Sequence, residues 1–447
     1  MRASIKLVVA GLLVLGIGVP VMAMQSTASI REPATAARRA VPVTPVATDV
    51  VTIYNSGPLR TDVAERSVDA ARSARASLAF GRSASVGMTG LYRGSTAVQL
   101  PPQGFAFPMG TTVLPRDLVA QTMGRDVSKH LAPDALVMGE LSAGLRGARA
   151  GDRLLLRASS GATVSFRLAA VLPAEQVGGT ELLMSIEAGD RLGISDLRRV
   201  VIWGFPSRSA IDAALAANGL VSSSVRIRRS WDRADPDGTI GMAQTKATLG
   251  EFAYRVNANG SVSQDAAWVN EYLPADREVL NGSIPINARC HNEVKPAIQS
   301  ALAEIAARGL SATIDVSDAN LYGGCHLARF NRLTPDSSLG FLSRHSWGMA
   351  IDTNTRGSCQ GCAPPDFATR PGGCEAVRIF RKHGFAWGGN YLTPDGMHFE
   401  WVGEPRDRLD YPSRFCPNVA IGALTLENSE VGRSRLYQDD GLFVGEH

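Results

Sequence analysis

The chain has 447 residues, 45% hydrophobic and 20% charged, which gives room for two or three domains and ample core. A net charge of +4 supplies no polybasic field of the kind that nucleic-acid binding demands. The basic residues are overwhelmingly arginine, with lysine confined to Lys6, Lys129, Lys246, Lys295 and Lys382, a bias of genome composition rather than function.

Residues 1–23 read as an export signal. Arg2 and Lys6 form a basic start, an apolar stretch runs from Leu7 to Ala23, and Val21-Met22-Ala23 offers small residues for cleavage. The stretch is shorter than the roughly 20 apolar residues of a membrane span and contains Gly16, Gly18 and Pro20. The alternative is an uncleaved N-terminal anchor, the chain's one expected membrane contact. Either way the remainder lies outside the cytoplasm, secreted or associated with the cell envelope. Residues 24–60 are rich in Ala, Thr, Pro and Val and read as a flexible linker.

Residues 61–240 are expected to form an α+β binding or regulatory module. A helix is expected from Asp62 to Phe80. Short apolar runs bounded by Gly, Ser or Pro predict strands at Asp152–Ala158, Thr163–Val171, Glu181–Ile186, Arg199–Trp203 and Val225–Arg229. A helix over Ser209–Asn218 ends at Gly219. No nucleophile or metal cluster stands out in this module, which suits a cell-envelope protein partner. Arg226, Arg228, Arg229 and Arg233 surround Trp231. They read as a solvated face, or as a contact for anionic wall polymer.

The second half has a different character. A strand is expected at Glu251–Val256 and another at Ala312–Val316. Between them Val294, Ile298, Leu302 and Ile305 fall at helical spacing within Asn292–Arg308, and Gly309 stops that helix. All six cysteines lie here: Cys290, Cys325, Cys359, Cys362, Cys374 and Cys416. An even count in an exported chain predicts three disulfides, and Cys359-x-x-Cys362 lacks the second C-x-x-C of a structural zinc site. Spacing does not fix the pairing. Cys290 with Cys325, and the other four among themselves, is the expectation. Residues 418–447 form a mixed polar tail, read as partly disordered.

The chemistry gathers in two runs, S-R-H-S-W-G-M-A-I-D over residues 343–352 and D-G-M-H-F-E-W over residues 395–401. Two imidazoles and a carboxylate, His345, His398 and Asp352, make a catalytic zinc set with a fourth position left for water. Asp395, three residues before His398, is the candidate proton acceptor and donor. His398 is expected to open a strand in which Met397, Phe399 and Trp401 face one way and His398 and Glu400 the other. Glu400 reads equally as a partner orienting a ligand or as an exposed strand residue. His326 and His383 fit no ligand spacing and read as structural or rim residues, though His326 neighbours Arg329. Trp347, Trp387 and Trp401 read as core and pocket wall. H-E-x-x-H, S-x-x-K and G-x-S-x-G are absent from the sequence, which sets aside thermolysin-like and serine-nucleophile sites.

The pattern S-x-H-x-x-G-x-A-x-D followed by D/E-x-x-H resembles the VanY-like zinc peptidases, the D-Ala-D-Ala carboxypeptidases and dipeptidases and the L-Ala-D-Glu endopeptidases of phage endolysins. Ser343, His345, Gly348, Ala350 and Asp352 occupy every position of the first motif. The resemblance covers about residues 250–417. It implies a zinc peptidase domain with a small antiparallel sheet and flanking helices, and one Zn2+ held by His345, Asp352 and His398. It also implies Asp395 as general base and Arg329, in Gly323–Arg329, as the arginine that polarises the scissile carbonyl. Carboxypeptidases of the family usually carry Glu where this chain has Asp395. That favours an endopeptidase acting on peptidoglycan stem peptide, with D,D-carboxypeptidase as the alternative. A non-catalytic wall-binding protein on the same fold would be marked by loss of a ligand or of the base. The stretch Val137–Gly204 resembles extracytoplasmic domains of FtsX/MacB-type permeases.

Overall fold

The computed structural model describes residues 49–418 apart from 55–56, 221–224, 333–338, 357, 359, 362–365 and 410–414. The expected export segment, the tail beyond 418, Cys359 and Cys362 lie outside the described residues. The architecture is α+β. A large mixed sheet occupies the first half, and a four-stranded antiparallel sheet flanked by helices lies near the C-terminus.

The large sheet has ten strands. Arg226–Arg229, Val50–Tyr54, Leu197–Trp203, Ser77–Arg93, Phe107–Val113, Leu182–Met184, Ala135–Gly139, Thr163–Leu172 and Arg153–Arg157 follow one another across it, and Thr96–Gln99 pairs with Ser77–Arg93. The last strand returns to the far end of Ser77–Arg93, so six strands close on themselves. The register of this pairing shifts between Met88 and Gly90, so the strand carries a bulge where the sheet turns back on itself. A bulge of this kind bends and twists a strand enough to turn such a corner. Val86, Met88, Leu91, Met109, Leu136, Met138, Leu154, Leu156, Phe166 and Leu168 fill the interior.

Several expected elements are found with shifted ends: Arg153–Arg157, Thr163–Leu172, Leu182–Met184, Leu197–Trp203, Arg226–Arg229 and the helix Arg208–Ala217. Two expectations near the N-terminus are corrected. The linker does not extend to residue 60, because Val50–Tyr54 is a buried strand paired on both sides, Val51 opposite Arg229 and Ile202. The first helix covers Thr61–Ser73 and does not reach Phe80. Arg75 takes a left-handed backbone (φ 51°), which ends the helix, and the chain continues as Ser77–Arg93. Pairing with four neighbouring strands outweighs the local helical pattern.

Three arginines of the basic cluster are paired within the fold, while Arg233 is exposed. Arg228 meets Asp235 at 2.9 Å, Arg229 meets Asp212 at 2.7 Å, and Arg226 donates to the Asn390 carbonyl at 2.7 Å. Trp231 packs edge-on against Phe205.

In the second half the expected helix is present as Lys295–Ala307, with Ile298, Ala301, Leu302 and Ile305 buried along one stripe. The expected strand at Ala312–Val316 is replaced by a 3-10 turn, Ser311–Thr313. Backbone bonds from Thr313 and Ile314 close the turn, and Asn354 accepts from Asp315 N–H at 2.8 Å and donates to the Thr313 carbonyl at 2.9 Å. The small sheet runs Tyr322–Gly323, Ala350–Thr353, His398–Trp401, Phe385–Trp387, all antiparallel. Helix Gly373–Lys382 packs beside it, and its Phe380 stacks on Phe399 with ring centroids 4.0 Å apart. Disulfides Cys290–Cys325 and Cys374–Cys416 tie this region together.

Candidate metal centre

Each residue of the first motif has a local structural task. Ser343 caps the 3-10 turn Arg344–Trp347, its hydroxyl accepting from His345 N–H at 3.3 Å. Gly348 then reverses the chain with φ +64°, donating back to the His345 carbonyl at 2.9 Å. A Cβ at Gly348 would lie 2.9 Å from the His291 nitrogen, so the position needs glycine on both counts. The chain enters the strand Ala350–Thr353, where Asp352 stands directly opposite His398. On the other side Asp352 faces Gly323, whose missing side chain leaves room for the carboxylate.

The three predicted metal ligands converge. His398 Nδ1 is 3.0 Å from Asp352 Oδ1, and His345 Nε2 is 3.3 Å from the same oxygen. The three ligand atoms lie within 4.8 Å of one another. His345 Nδ1 is 3.0 Å from the Cys325 carbonyl. That oxygen can only accept, so Nδ1 carries the proton and Nε2 offers its lone pair to the site. Among the described residues buried His345 Nε2 makes no hydrogen bond, an arrangement that costs free energy unless something else occupies the lone pair. Donor chemistry, convergence and this nitrogen fit a divalent cation such as zinc.

The surroundings are acidic and largely buried. His398 Nε2 lies 3.7 Å from Glu400 Oε2, and Glu400 is fully buried, which removes the exposed-strand alternative. Both faces of the strand His398–Trp401 are covered. Burial alone would lower the His398 pKa, but Asp352, Glu400 and Asp395 raise it to about 10. Asp352 is held well below the ordinary carboxylate value, the two imidazoles outweighing the effect of burial. Asp395 behaves oppositely: burial, with a further push from Asp352, raises it to about 7 despite the nearby cations. Its backbone N–H donates to the Gly388 carbonyl at 2.8 Å, and its own carbonyl accepts from His398 N–H at 3.1 Å. Its Oδ1 is buried without a hydrogen bond among the described residues.

Arg329 lies within electrostatic reach of Asp352 and Asp395, and burial lowers its pKa. His326 Nε2 donates to the Gln264 side-chain oxygen at 2.7 Å, and His383 meets Glu304 at 2.8 Å, so both have structural partners. Trp347 and Trp387 are core residues. Arg344 and Tyr391 at the site escaped the sequence reading, and Gly388 carries more weight there than its place in a turn suggested. Arg344, in a variable slot of the motif, is fully buried with Nε 3.2 Å from Glu400. Gly388 packs against the Cβ atoms of both Asp395 and His398. Tyr391 is buried 6.2 Å, ring to ring, from His398, and its hydroxyl makes no hydrogen bond among the described residues. Only its aromatic character beside the Trp-Gly-Gly turn could have flagged it.

Residues 337–401 match the family model described as D-alanyl-D-alanine carboxypeptidase. The carboxypeptidase match spans His345, Asp352, Asp395 and His398 and stops short of Arg329. It supports a hydrolase of the peptidase class for this region. No curated protein matches the chain. Among solved structures, the extracellular domain of the noncanonic ABC-type transporter YknZ from Gram-positive bacteria aligns at 10% identity with a TM-score of 0.23, over 40% of this chain and 98% of that domain. Among the described residues no helix is long and apolar enough to cross a membrane.

Proposed function

We propose that the protein is an exported zinc metallopeptidase that hydrolyses an amide bond in peptidoglycan stem peptide. The observation that carries this reading is the convergence of His345 Nε2, Asp352 Oδ1 and His398 Nδ1 beside the buried carboxylate of Asp395. His345, Asp352 and His398 would hold the zinc ion, which when bound would supply Lewis acidity toward a water and the scissile carbonyl. Asp395, a buried carboxylate beside the ligands, takes the proton of the attacking water and returns it to the leaving amine. Arg329 offers positive charge to the carbonyl oxygen as the tetrahedral centre forms.

Asp rather than Glu at position 395 supports an L-Ala-D-Glu-type endopeptidase. The description of the matching family favours D,D-carboxypeptidase as the second reading. Two disulfides support an oxidising, extracytoplasmic setting. The N-terminal module serves to bind an envelope partner or to position the enzyme at the wall. Purified muropeptides digested with and without a zinc chelator, then weighed by mass spectrometry, test the proposal. Release of everything beyond L-alanine marks the endopeptidase, release of a terminal alanine the carboxypeptidase. Unchanged cleavage in chelator overturns the zinc reading.

A further inference from the structure

Arg344 contributes two hydrogen bonds in a direction away from the metal centre. Its Nη1 donates to the Thr245 hydroxyl at 2.5 Å, and its Nη2 donates to the Ile240 carbonyl. Thr245 belongs to the helix Met242–Leu249, in the segment joining the large sheet to the second half. The next residue, Lys246, is buried and meets Glu181 at 2.9 Å beside the strand Leu182–Met184, inside the first-half fold. Arg146 and Glu251 complete that buried ionic group, and Ser142 donates to Glu181 at 3.0 Å.

One continuous buried polar path therefore joins the two halves. It runs Glu181, Lys246, the helical turn carrying Thr245, Arg344, Glu400, His398. Apolar contact runs beside it. Phe252, just beyond the helix, packs on Trp347 with centroids 4.5 Å apart, two residues from His345. A planar guanidinium held at both ends by fixed partners has little freedom, and it sets the orientation of the carboxylate it touches. Glu400 in turn faces the imidazole nitrogen of His398 on the side away from Asp352.

We infer that Arg344 is a positioning residue through which the connecting helix Met242–Leu249 sets the orientation of His398, so that the metal affinity of the C-terminal site depends on how the first half seats that helix. The inference rests on the zinc reading above. Partners one step removed from a metal influence its affinity by about 10- to 100-fold. Glu400 is such a partner, and Arg344 and Thr245 lie one and two steps further out, so removal of Thr245 falls at the lower end of that range.

The test uses the full chain with Thr245→Val, Thr245→Ser and Arg344→Lys. Zinc affinity is measured by competition with a chromogenic chelator, and thermal midpoints are measured without metal. Thr245→Val is expected to bind zinc about 10-fold more weakly, with Thr245→Ser restoring the parent value because the hydroxyl returns. Arg344→Lys, which keeps charge but not the fork, is expected to weaken binding at least as much as Thr245→Val. Peptidase activity should fall through kcat at limiting zinc and recover at saturating zinc. Parent-like zinc affinity in Thr245→Val and Arg344→Lys overturns the inference and leaves the zinc reading intact. Equal weakening by Thr245→Val and Thr245→Ser also overturns it, because the hydroxyl would then be irrelevant. A parent protein that takes up no zinc overturns both.

Discussion

Asp352 and His398 are direct cross-strand partners, and the imidazole Nδ1 sits 3.0 Å from the carboxylate Oδ1. Paired side chains on one face of an antiparallel sheet are held at short separation by the backbone itself. The register, rather than a flexible loop, therefore sets the spacing of two of the three expected ligands. Asp352→Asn keeps shape but removes the charge that holds both imidazoles. Zinc bound per chain, measured by metal analysis after desalting, is expected to fall from one to near none. Full occupancy in the variant would contradict the ligand assignment.

Asp395 has a different task from the ligands, so its loss should separate binding from turnover. Asp395→Asn is expected to retain zinc while kcat falls about 10²- to 10⁴-fold, the usual contribution of a positioned proton-transfer group. Steady-state kinetics on a muropeptide together with metal analysis checks this. Loss of zinc along with activity would assign Asp395 to the metal instead.

Gly388 leaves no space for a side chain. An added Cβ would lie 2.6 Å from the Asp395 carbonyl oxygen, 3.1 Å from the His398 Cβ and 3.2 Å from the Asp395 Cβ. Gly388→Ala must push the strand that carries His398. A cost of about 1–3 kcal/mol is expected from such overpacking, seen as a lower denaturant midpoint together with lost activity. Gly282→Ala is the control, since nothing lies within 4 Å of its added carbon.

The Cys290–Cys325 bond spans 35 residues and fixes the carbonyl that accepts from His345 Nδ1. Replacing both cysteines by alanine is expected to cost about 2–5 kcal/mol of stability. It should also weaken zinc binding, because His345 loses its fixed anchor. Urea unfolding and chelator competition measure the two effects separately.

Glu304 meets Lys382 and His383 at 2.8 Å and also Arg308. Burial opposes its ionisation, yet these hydrogen bonds bring its pKa down to about 2 from an ordinary 4.5. A depressed carboxylate stabilises the fold above its unfolded pKa and loses that contribution as pH falls through the folded one. The parent should therefore exceed Glu304→Gln in urea midpoint at pH 7, with the gap narrowing between pH 4.5 and 2. A gap that widens on acidification would reverse the sign and refute the assignment.

The metal centre was legible because each motif residue solves a local problem that spacing reveals. Ser343 caps, Gly348 turns, and Asp352 and His398 alternate onto one face. Arg344 was not legible, because its importance comes from Thr245, Ile240 and Glu400, partners remote in the chain, and Tyr391 was not, because only the fold brings its ring beside His398. The amphipathic helix Lys295–Ala307 followed from its own period, whereas Ala312–Val316 had strand-like composition but found the Asn354 side chain in place of a neighbouring strand. The length of Ser77–Arg93 and the closure of six strands depend on pairings that no local window contains. The same holds for Val50–Tyr54, whose partners begin at Leu197.

That last pairing has a consequence for the order of assembly. During synthesis Val50–Tyr54 emerges first, but Leu197–Trp203 and Arg226–Arg229, between which it lies, arrive late. Until then it is an apolar strand with two open edges, the kind of segment that pairs with whatever strand it meets. Closing so long a loop is slow, so the completion of the large sheet is set by its earliest segment waiting for its latest.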